Sequence, residues 1–243
     1  MRRRFRCRSD ILSLLKREYN NIVSNQYGGD FLKAIQDFDA IAETRLRVIL
    51  DAFYKSPRSR DQAWRTCKGE LYEYAVFKCV QQVVSSDELL SRKFKVVPGN
   101  QVATYEDQVA IRNWSEVLPD IDILIVERET DRVRVIISCK TSLRERFTET
   151  AFWKRELERH ESTRDLLLVF ITTDKDDELR KDTNRYILLH VVDCTFITDF
   201  EKHRQLIRAY RERYGGRRDF ARIYSKVKRI DEIKEFLHML SKE

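Results

Sequence analysis

Two short segments carry the residues best suited to chemistry. Asp120 and Asp122 lie at the start of an apolar run, in the segment Leu118-Pro-Asp-Ile-Asp-Ile-Leu-Ile-Val126. Lys140 lies at the end of a second apolar run, in the segment Ile136-Ile-Ser-Cys-Lys140. Carboxylates hold Mg²⁺, which stabilises the charge that develops on a phosphate oxygen. A lysine ammonium near the attacking water favours hydroxide and helps to orient it. These residue types are therefore the ones that phosphodiester hydrolysis requires.

The elements that position these residues are predicted to be two paired strands. The apolar runs at 121–126 and 133–138 are typical of strands, and the charged residues between them predict a turn. If the strands are antiparallel, Asp120 and Lys140 meet at one edge of the sheet, and Asp122 points to the same face as Asp120. The alternative interpretation is an ordinary solvated hairpin without chemistry.

A charged triplet, Arg144-Glu145-Arg146, follows the lysine at the start of a predicted helix. Arginine has the geometry to bind O6 and N7 of guanine with two hydrogen bonds in the major groove. The glutamate between the arginines can orient them or accept a hydrogen bond from cytosine N4. The triplet is therefore a candidate reader of DNA bases.

Taken together, Pro119-Asp120, Ser138-Cys139-Lys140 and Arg144-Glu145-Arg146 resemble the PD-(D/E)XK restriction endonucleases of the EcoRII and PspGI group. That group cuts CCGG, CCNGG and CCWGG targets. In it, a serine replaces the usual second acid two residues before the lysine, and an Arg-(Asp/Glu)-Arg triplet follows the lysine at the spacing found here. The resemblance rests on residues 119–146 in motif and extends to roughly 60–200 in organisation.

The resemblance implies a role for each matched residue. Asp120 is expected to bind the metal, Lys140 to act on the attacking water, and Ser138 to belong to the catalytic group. The triplet at 144–146 is expected to contact bases. Asp122 is a weaker candidate for the metal.

The second metal carboxylate is left open by the sequence. The group supplies a glutamate thirteen or fourteen residues after the lysine, but Trp153 and Lys154 stand at those positions here. Four glutamates are candidates instead: Glu73, Glu70, Glu149 and Glu156. Glu73 is favoured because Gly69-Glu-Leu-Tyr-Glu73 resembles a glycine–glutamate pattern in an earlier helix of the superfamily. Each of the four is also compatible with an ordinary exposed helix position.

The composition is typical of a globular protein that binds a polyanion. The 243 residues are 42% hydrophobic, and the net charge is +7. A basic surface favours nucleic acid because lysine and arginine displace counterions from phosphates. We predict a single nuclease domain over 1–243, with a helical segment at 1–60, the core at 61–200 and C-terminal helices at 201–243.

The predicted fold class is α/β, a restriction-endonuclease-like core in which a mixed β-sheet is flanked by helices, with helical segments at both termini. Helical spacing of apolar residues predicts helices within 10–54, over 61–84 and 147–160, and from 200 onward. Strands are predicted at 94–97, 166–172 and 187–192 in addition to the hairpin.

Cysteine usage and hydropathy predict the cellular setting. The five cysteines are odd in number and widely spaced, which favours reduced, buried thiols over disulfides or a zinc site: Cys7, Cys67, Cys79, Cys139 and Cys194. No apolar segment has the length of a signal peptide or a membrane span. A cytoplasmic protein is therefore expected.

These observations predict a Mg²⁺-dependent type II restriction endonuclease. It is expected to hydrolyse double-stranded DNA to 5′-phosphate ends at a short palindromic target with adjacent C:G pairs. A homodimer is expected because a two-fold symmetric protein matches a palindrome, and a cognate DNA methyltransferase is expected as its cellular counterpart. Two alternatives stay open: another PD-(D/E)XK nuclease, acting in repair or on modified DNA, and a non-catalytic DNA-binding module.

Overall fold

The structure of the protein is a computed structural model that describes residues 6–112, 116–142, 146–218 and 220–242, apart from the side chains of Arg146 and Ile223. The strands are β1 (Phe94–Pro98), β2 (Ile111–Arg112), β3 (Glu116–Val117), β4 (Ile123–Glu127), β5 (Val133–Lys140), β6 (Leu167–Thr172), β7 (Cys194–Ile197) and β8 (Val227–Arg229).

Helices precede, interrupt and follow the strands. The α-helices are α1 (Ser9–Gln26), α2 (Phe31–Ala34), α3 (Phe38–Ile41), α4 (Pro57–Ser85), α5 (Glu88–Lys93), α6 (Glu106–Val109), α7 (Arg146–Glu158), α8 (Asp182–His190), α9 (Phe200–Tyr214), α10 (Phe220–Lys226) and α11 (Ile233–Leu240). A π-helical turn covers Ala42–Leu46. Shorter 3₁₀ segments cover Ile35–Asp37, Arg47–Ala52, Gly99–Tyr105, Glu178–Arg180 and Ile230–Glu232.

The main sheet is mixed. Its six strands run in the order β1-β4-β5-β6-β7-β8, and β2 pairs with β3 in a separate two-stranded sheet. β1, β4 and β5 are antiparallel neighbours, whereas β5, β6, β7 and β8 are parallel. The carboxyl ends of the parallel strands therefore share the edge at which β5 ends on Lys140.

Each face of the sheet carries its own hydrophobic core. Val169 and Ile171 of β6 pack with residues of α1, α4 and α11 on one face. Leu168 and Phe170 pack with residues of α7, α8 and α9 on the other. This alternation explains the nearly continuous apolar sequence of β6, because a central strand is buried on both faces. The predicted fold class, a mixed sheet flanked by helices, is confirmed.

Helix α4 is the long element that reaches the Lys140 edge of the sheet. It begins with Pro57 in its first turn, a position where proline's fixed φ suits a helix. It packs against β1 and β5. The hydroxyl of the buried Tyr72 lies 3.2 Å from that of Thr198, which follows β7. Helix α4 is thereby anchored beside the ends of the parallel strands.

Two secondary-structure predictions were wrong. The apolar run at 187–192 was expected to be a strand, but Ile187 and Leu188 are buried residues of α8, and the strand is the next segment, β7. A short apolar run does not distinguish a buried strand from a buried helix. The C-terminal region was expected to be wholly helical, yet it contains β8, which is too short for its periodicity to be visible.

The prediction of five reduced cysteines was also wrong. Cys7 and Cys67 form a disulfide, with Cα atoms 4.7 Å apart. The bond ties the segment before α1 to the middle of α4, a contact that sequence spacing does not reveal because 60 residues separate the two. The other three, Cys79, Cys139 and Cys194, are buried free thiols, as expected. No described helix has the length and apolar character needed to cross a membrane.

The disulfide can be tested by thiol titration and unfolding. We expect denatured, non-reduced protein to expose three reactive thiols and reduced protein five. Closing a loop of this length removes chain entropy from the unfolded state, so Cys7→Ser should lower the free energy of unfolding by about 4 kcal/mol without reductant. With reductant the parent and the variant should unfold alike. Five thiols before reduction would contradict the pairing.

Candidate active site

A buried lysine lies between two carboxylates at the edge where β5 ends. The Nζ atom of Lys140 is 2.7 Å from Oδ2 of Asp122 and 3.1 Å from Oδ2 of Asp120. Two hydrogen bonds to β5 hold Asp122 in place. Its N–H donates to the carbonyl of Ile137, and its carboxylate accepts the N–H of Cys139 at 2.7 Å. The antiparallel hairpin therefore brings together the three residues that the two sequence segments singled out.

Electrostatics keep this lysine charged. The Lys140 and Asp122 side chains are only 4% and 3% exposed. Burial disfavours the ammonium, but the carboxylates of Asp122 and Asp120 outweigh burial and hold the pKa of Lys140 well above its ordinary value. Lys140 is therefore a fixed cation and hydrogen-bond donor at neutral pH, rather than a free base.

One of the four candidate glutamates faces this group. Glu73 of α4 lines the same cleft as Lys140, a cleft of about 710 Å³ between α4 and the end of β5. Its charge is close enough to contribute to the raised pKa of Lys140. Helix α4 and strand β5 thus contribute charged groups from opposite sides of one cleft.

The other three glutamates lie elsewhere. Glu70 is turned toward the N-terminal segment, where its Oε1 accepts the N–H of Cys7 at 2.6 Å. On α7, Glu149 is exposed and Glu156 forms an ion pair of 2.6 Å with Arg159. None of these three lines the cleft. The structure therefore separates them from Lys140.

Ser138 lies two residues before Lys140 and so on the same side of β5. It is 1% exposed, and its hydroxyl has no hydrogen-bond partner within the described part of the chain. The position where related nucleases carry an acid is therefore a buried neutral hydroxyl here.

The oxygen atoms around Lys140 suit a hard divalent cation. Magnesium is commonly held by one or two protein carboxylates, with water and substrate phosphate completing its shell. Asp120 and Glu73 can provide such carboxylates. Among the described residues, no group of three or more acidic, histidine or cysteine side chains is arranged to hold a metal. These two carboxylates would leave most of the ligand positions of a bound magnesium ion to water and substrate phosphate.

A second charged network lines the far side of the cleft, and sequence reasoning missed it. Lys68 of α4 is nearly buried and pairs with Asp39 and, at 2.8 Å, with Glu43. Burial acts to raise the pKa of Glu43, but the hydrogen bond and charge of Lys68 hold it at about 2. Lys175, from the loop after β6, lies 3.4 Å from Glu43. No local pattern marks these residues, which come from three distant segments.

Lys154 stands at one of the two positions where the EcoRII group carries its glutamate, and it has a structural role here. Lys154 is buried, pairs with Asp193 at 2.8 Å and donates to the carbonyl of Leu166 at 3.0 Å. It joins α7 to the start of β6 instead of reaching the cleft. Of the predicted base-reading triplet, Arg144 and Glu145 lie outside the described residues. Arg146 begins α7, but its side chain is not described.

The loop after β6 contains a buried acid. Asp174 is 1% exposed and has a positive φ of 49°, which aspartate tolerates better than most residues. One carboxylate oxygen accepts the N–H of Leu179 at 3.2 Å. The loop continues into Lys175 and Asp176, which both line the cleft, and Asp176 accepts a hydrogen bond from Ser142. Asp174 therefore anchors a loop that forms one wall of the cleft.

Comparison with known structures identifies the class of this fold. The structure of the restriction endonuclease PspGI in complex with substrate DNA superposes with a TM-score of 0.62 and 12% identity, over 95% of this chain and 93% of that one. The fold is that of a restriction endonuclease, which confirms the resemblance to the PspGI group. A family model described as BsaWI restriction endonuclease type 2 matches residues 101–222, half of the chain. The chain therefore belongs to the BsaWI family of type II restriction endonucleases.

Two relatives agree with this assignment. The putative type II restriction enzyme MjaVIP of Methanocaldococcus jannaschii is 27% identical over 170 residues, which is 62% of this chain and 75% of that protein. The probable type II restriction enzyme HpyAORF263P of Helicobacter pylori is 41% identical over 63 residues, or 26% of this chain and 33% of that protein. By family and fold, the chain is a DNA-binding nuclease of a restriction system.

The cleft loop should show a distinctive pH dependence. Burial raises the pKa of Asp174 to about 7 from an ordinary value of 3.8, so the folded state retains a proton that the unfolded state loses. The contribution of Asp174 to stability is thus present below pH 3.8 and is lost as pH rises through about 7. We expect Asp174→Asn to gain stability over the parent as pH rises across this interval, on the order of 4 kcal/mol. Chemical unfolding at both ends of the interval measures this, and parallel pH profiles would contradict it.

Proposed function

We propose that this protein is a Mg²⁺-dependent type II endonuclease whose active site is the cleft between Asp120, Lys140 and Glu73. The observation that carries the proposal is the buried Lys140 ammonium, which lines the cleft and is held within 3.1 Å of two carboxylates, Asp120 and Asp122. Such a group combines metal-binding oxygens with a fixed positive charge. That combination supports attack of water on a phosphodiester.

Each residue would contribute a separate task. When bound, Mg²⁺ supplies charge stabilisation at a phosphate oxygen and makes a bound water more acidic. Asp120 and Glu73 would hold the ion. Lys140, kept protonated by Asp122, would donate to the attacking water or to the phosphate and stabilise its growing negative charge. Asp122 would act mainly as a positioning residue, because it fixes both the Lys140 ammonium and the Cys139 N–H.

Base recognition would come from Arg144, Glu145 and Arg146. The proposal rests on the motif resemblance and on the reach of arginine into the major groove. The target would contain adjacent C:G pairs within a short palindrome. A homodimer would match the two-fold symmetry of such a site, and a methyltransferase of the same specificity would protect host DNA.

The proposal is tested by incubating plasmid DNA with the purified protein and Mg²⁺ and sequencing the cleaved ends by run-off. We expect discrete fragments, a shared sequence with adjacent C:G pairs, and 5′-phosphate ends. Cleavage only of damaged or methylated DNA would favour a repair or modification-dependent nuclease. Binding without cleavage, over a range of salt and divalent ions, would favour the non-catalytic module.

Substitutions of Lys140 and its partner Asp120 should separate chemistry from binding. We expect Asp120→Asn and Lys140→Met to lower kcat by about 10²-fold or more while DNA affinity changes little. Because Lys140→Met leaves buried carboxylates without their cation, it should also lower the free energy of unfolding, by about 3 kcal/mol. Single-turnover cleavage and circular dichroism measure the two effects.

The double variant Lys140→Met with Asp122→Asn controls for folding. Removing the excess negative charge should restore much of the stability without restoring cleavage. Recovery of cleavage in the double variant, or full activity in either single variant, would remove Lys140 and Asp120 from the proposed chemistry.

A matched pair on α4 tests the second carboxylate. Glu73→Gln removes an anion in the cleft, whereas Glu70→Gln changes a carboxylate that faces the N-terminal segment. We expect Glu73→Gln to lower the cleavage rate at least tenfold and to raise the Mg²⁺ concentration needed for half-maximal rate. Glu70→Gln should leave both unchanged. A loss of cleavage in Glu70→Gln, or in Glu149→Gln, with normal activity in Glu73→Gln would reassign the ligand.

A further inference from the structure

A glycine lies within the continuous helix α4 where the helix lines the cleft. Gly69 lies well inside the 29-residue helix, where glycine is less stable than alanine. The backbone does not require it, because Gly69 has no positive φ, and a Cβ atom added there would have no neighbour within 4 Å outside the helix. The reason for glycine is therefore not found in the packing of the protein itself.

Gly69 has a defined place between two functional groups. Arg65, Gly69 and Glu73 are spaced four residues apart, so they form one stripe along the helix. All three line the cleft that contains Lys140. From Arg65 to Glu73 the stripe is about 12 Å long at the rise of an α-helix. The glycine is thus a gap in the helix surface between an arginine and the proposed metal carboxylate.

The cationic side chains that line the cleft differ in whether they form ion pairs. Arg47 pairs with Glu43 and Asp61, Lys68 pairs with Asp39 and Glu43, and Lys175 pairs with Glu43. Arg65, in contrast, is exposed and takes part in none of the ion pairs found among residues 6–112, 116–142, 146–218 and 220–242. A guanidinium in this position is available for two parallel hydrogen bonds to a phosphate group.

We propose that the stripe is a backbone-binding subsite for the cleaved DNA strand. The sugar–phosphate chain lies directly against the helix at Gly69, and Arg65 binds a phosphate that flanks the scissile one. This inference rests on the proposed function, because the scissile phosphate is taken to lie between Lys140 and Glu73. Any side chain at position 69 would project into the path of the strand, which gives the glycine its physical reason.

The subsite predicts opposite effects on stability and on DNA binding. Gly69→Ala and Gly69→Leu introduce strong helix formers at an open position, so each should raise the midpoint of thermal unfolding, by about 2–4 °C. Affinity for duplex DNA, measured with Ca²⁺ in place of Mg²⁺, should fall several-fold for Ala and at least tenfold for Leu. Cleavage at subsaturating DNA should fall in the same order.

Two further variants serve as matched controls. Gly216→Ala also adds a methyl group at a glycine whose Cβ would have no neighbour within 4 Å, but away from the cleft, and should bind DNA like the parent. Arg65→Gln should weaken binding to all duplex sequences alike and reduce the slope of log affinity against log salt by about 1. Arg58→Gln, an exposed arginine of the same helix outside the cleft, should change that slope less.

The outcomes separate this inference from the proposed function. If the parent binds and cuts DNA and Gly69→Leu does so equally well, the subsite is refuted while the nuclease stands. If the parent binds DNA without cutting it and Gly69→Leu binds at least tenfold more weakly, the nuclease falls, and the stripe is a contact for the DNA backbone but not for a cleaved strand. If the parent does not bind duplex DNA, both fall.

Discussion

The arrangement of the site depends on the Lys140 ammonium, which forms ion pairs with both Asp120 and Asp122. A charge so deeply buried is unfavourable unless opposite charges and hydrogen bonds surround it. The register of β4 and β5 meets this requirement, because it aligns the start of one strand with the end of the other. A shift of register by one residue would turn these side chains to opposite faces and leave a buried ammonium without a partner.

The second constraint is the position of α4, which forms the opposite wall of the cleft. The helix has apolar residues facing the sheet and charged residues facing the cleft, and Tyr72 fixes it beside the ends of the parallel strands. The Lys68–Glu43 network ties the helix to the N-terminal segment without neutralising Arg65. Helix α4 thus contributes Glu73 to the cleft. Glu73 and Lys140 lie too far apart in the sequence to belong to a single motif.

This arrangement accounts for a departure from the usual pattern of the PD-(D/E)XK nucleases. The strand position that carries the second acid in many of them is Ser138, a buried hydroxyl, and the helix position used by the EcoRII group is occupied by the structural ion pair of Lys154 and Asp193. The acidic side chain that faces Lys140 instead is Glu73 of α4. The sheet and the hairpin agree with the family, and in our proposal the acid that completes the group comes from a different element.

The sequence by itself determined the local part of this protein. The apolar runs around 121–126 and 133–138 defined a hairpin, and hairpin pairing is a short-range contact, so Asp120, Asp122 and Lys140 were grouped correctly. The tertiary structure alone decided which of the four glutamates faces the lysine, that Cys7 meets Cys67, and that residues 187–190 of the apolar run belong to helix α8. These outcomes depend on which elements pack together across long stretches of chain, and periodicity within one element does not encode that packing.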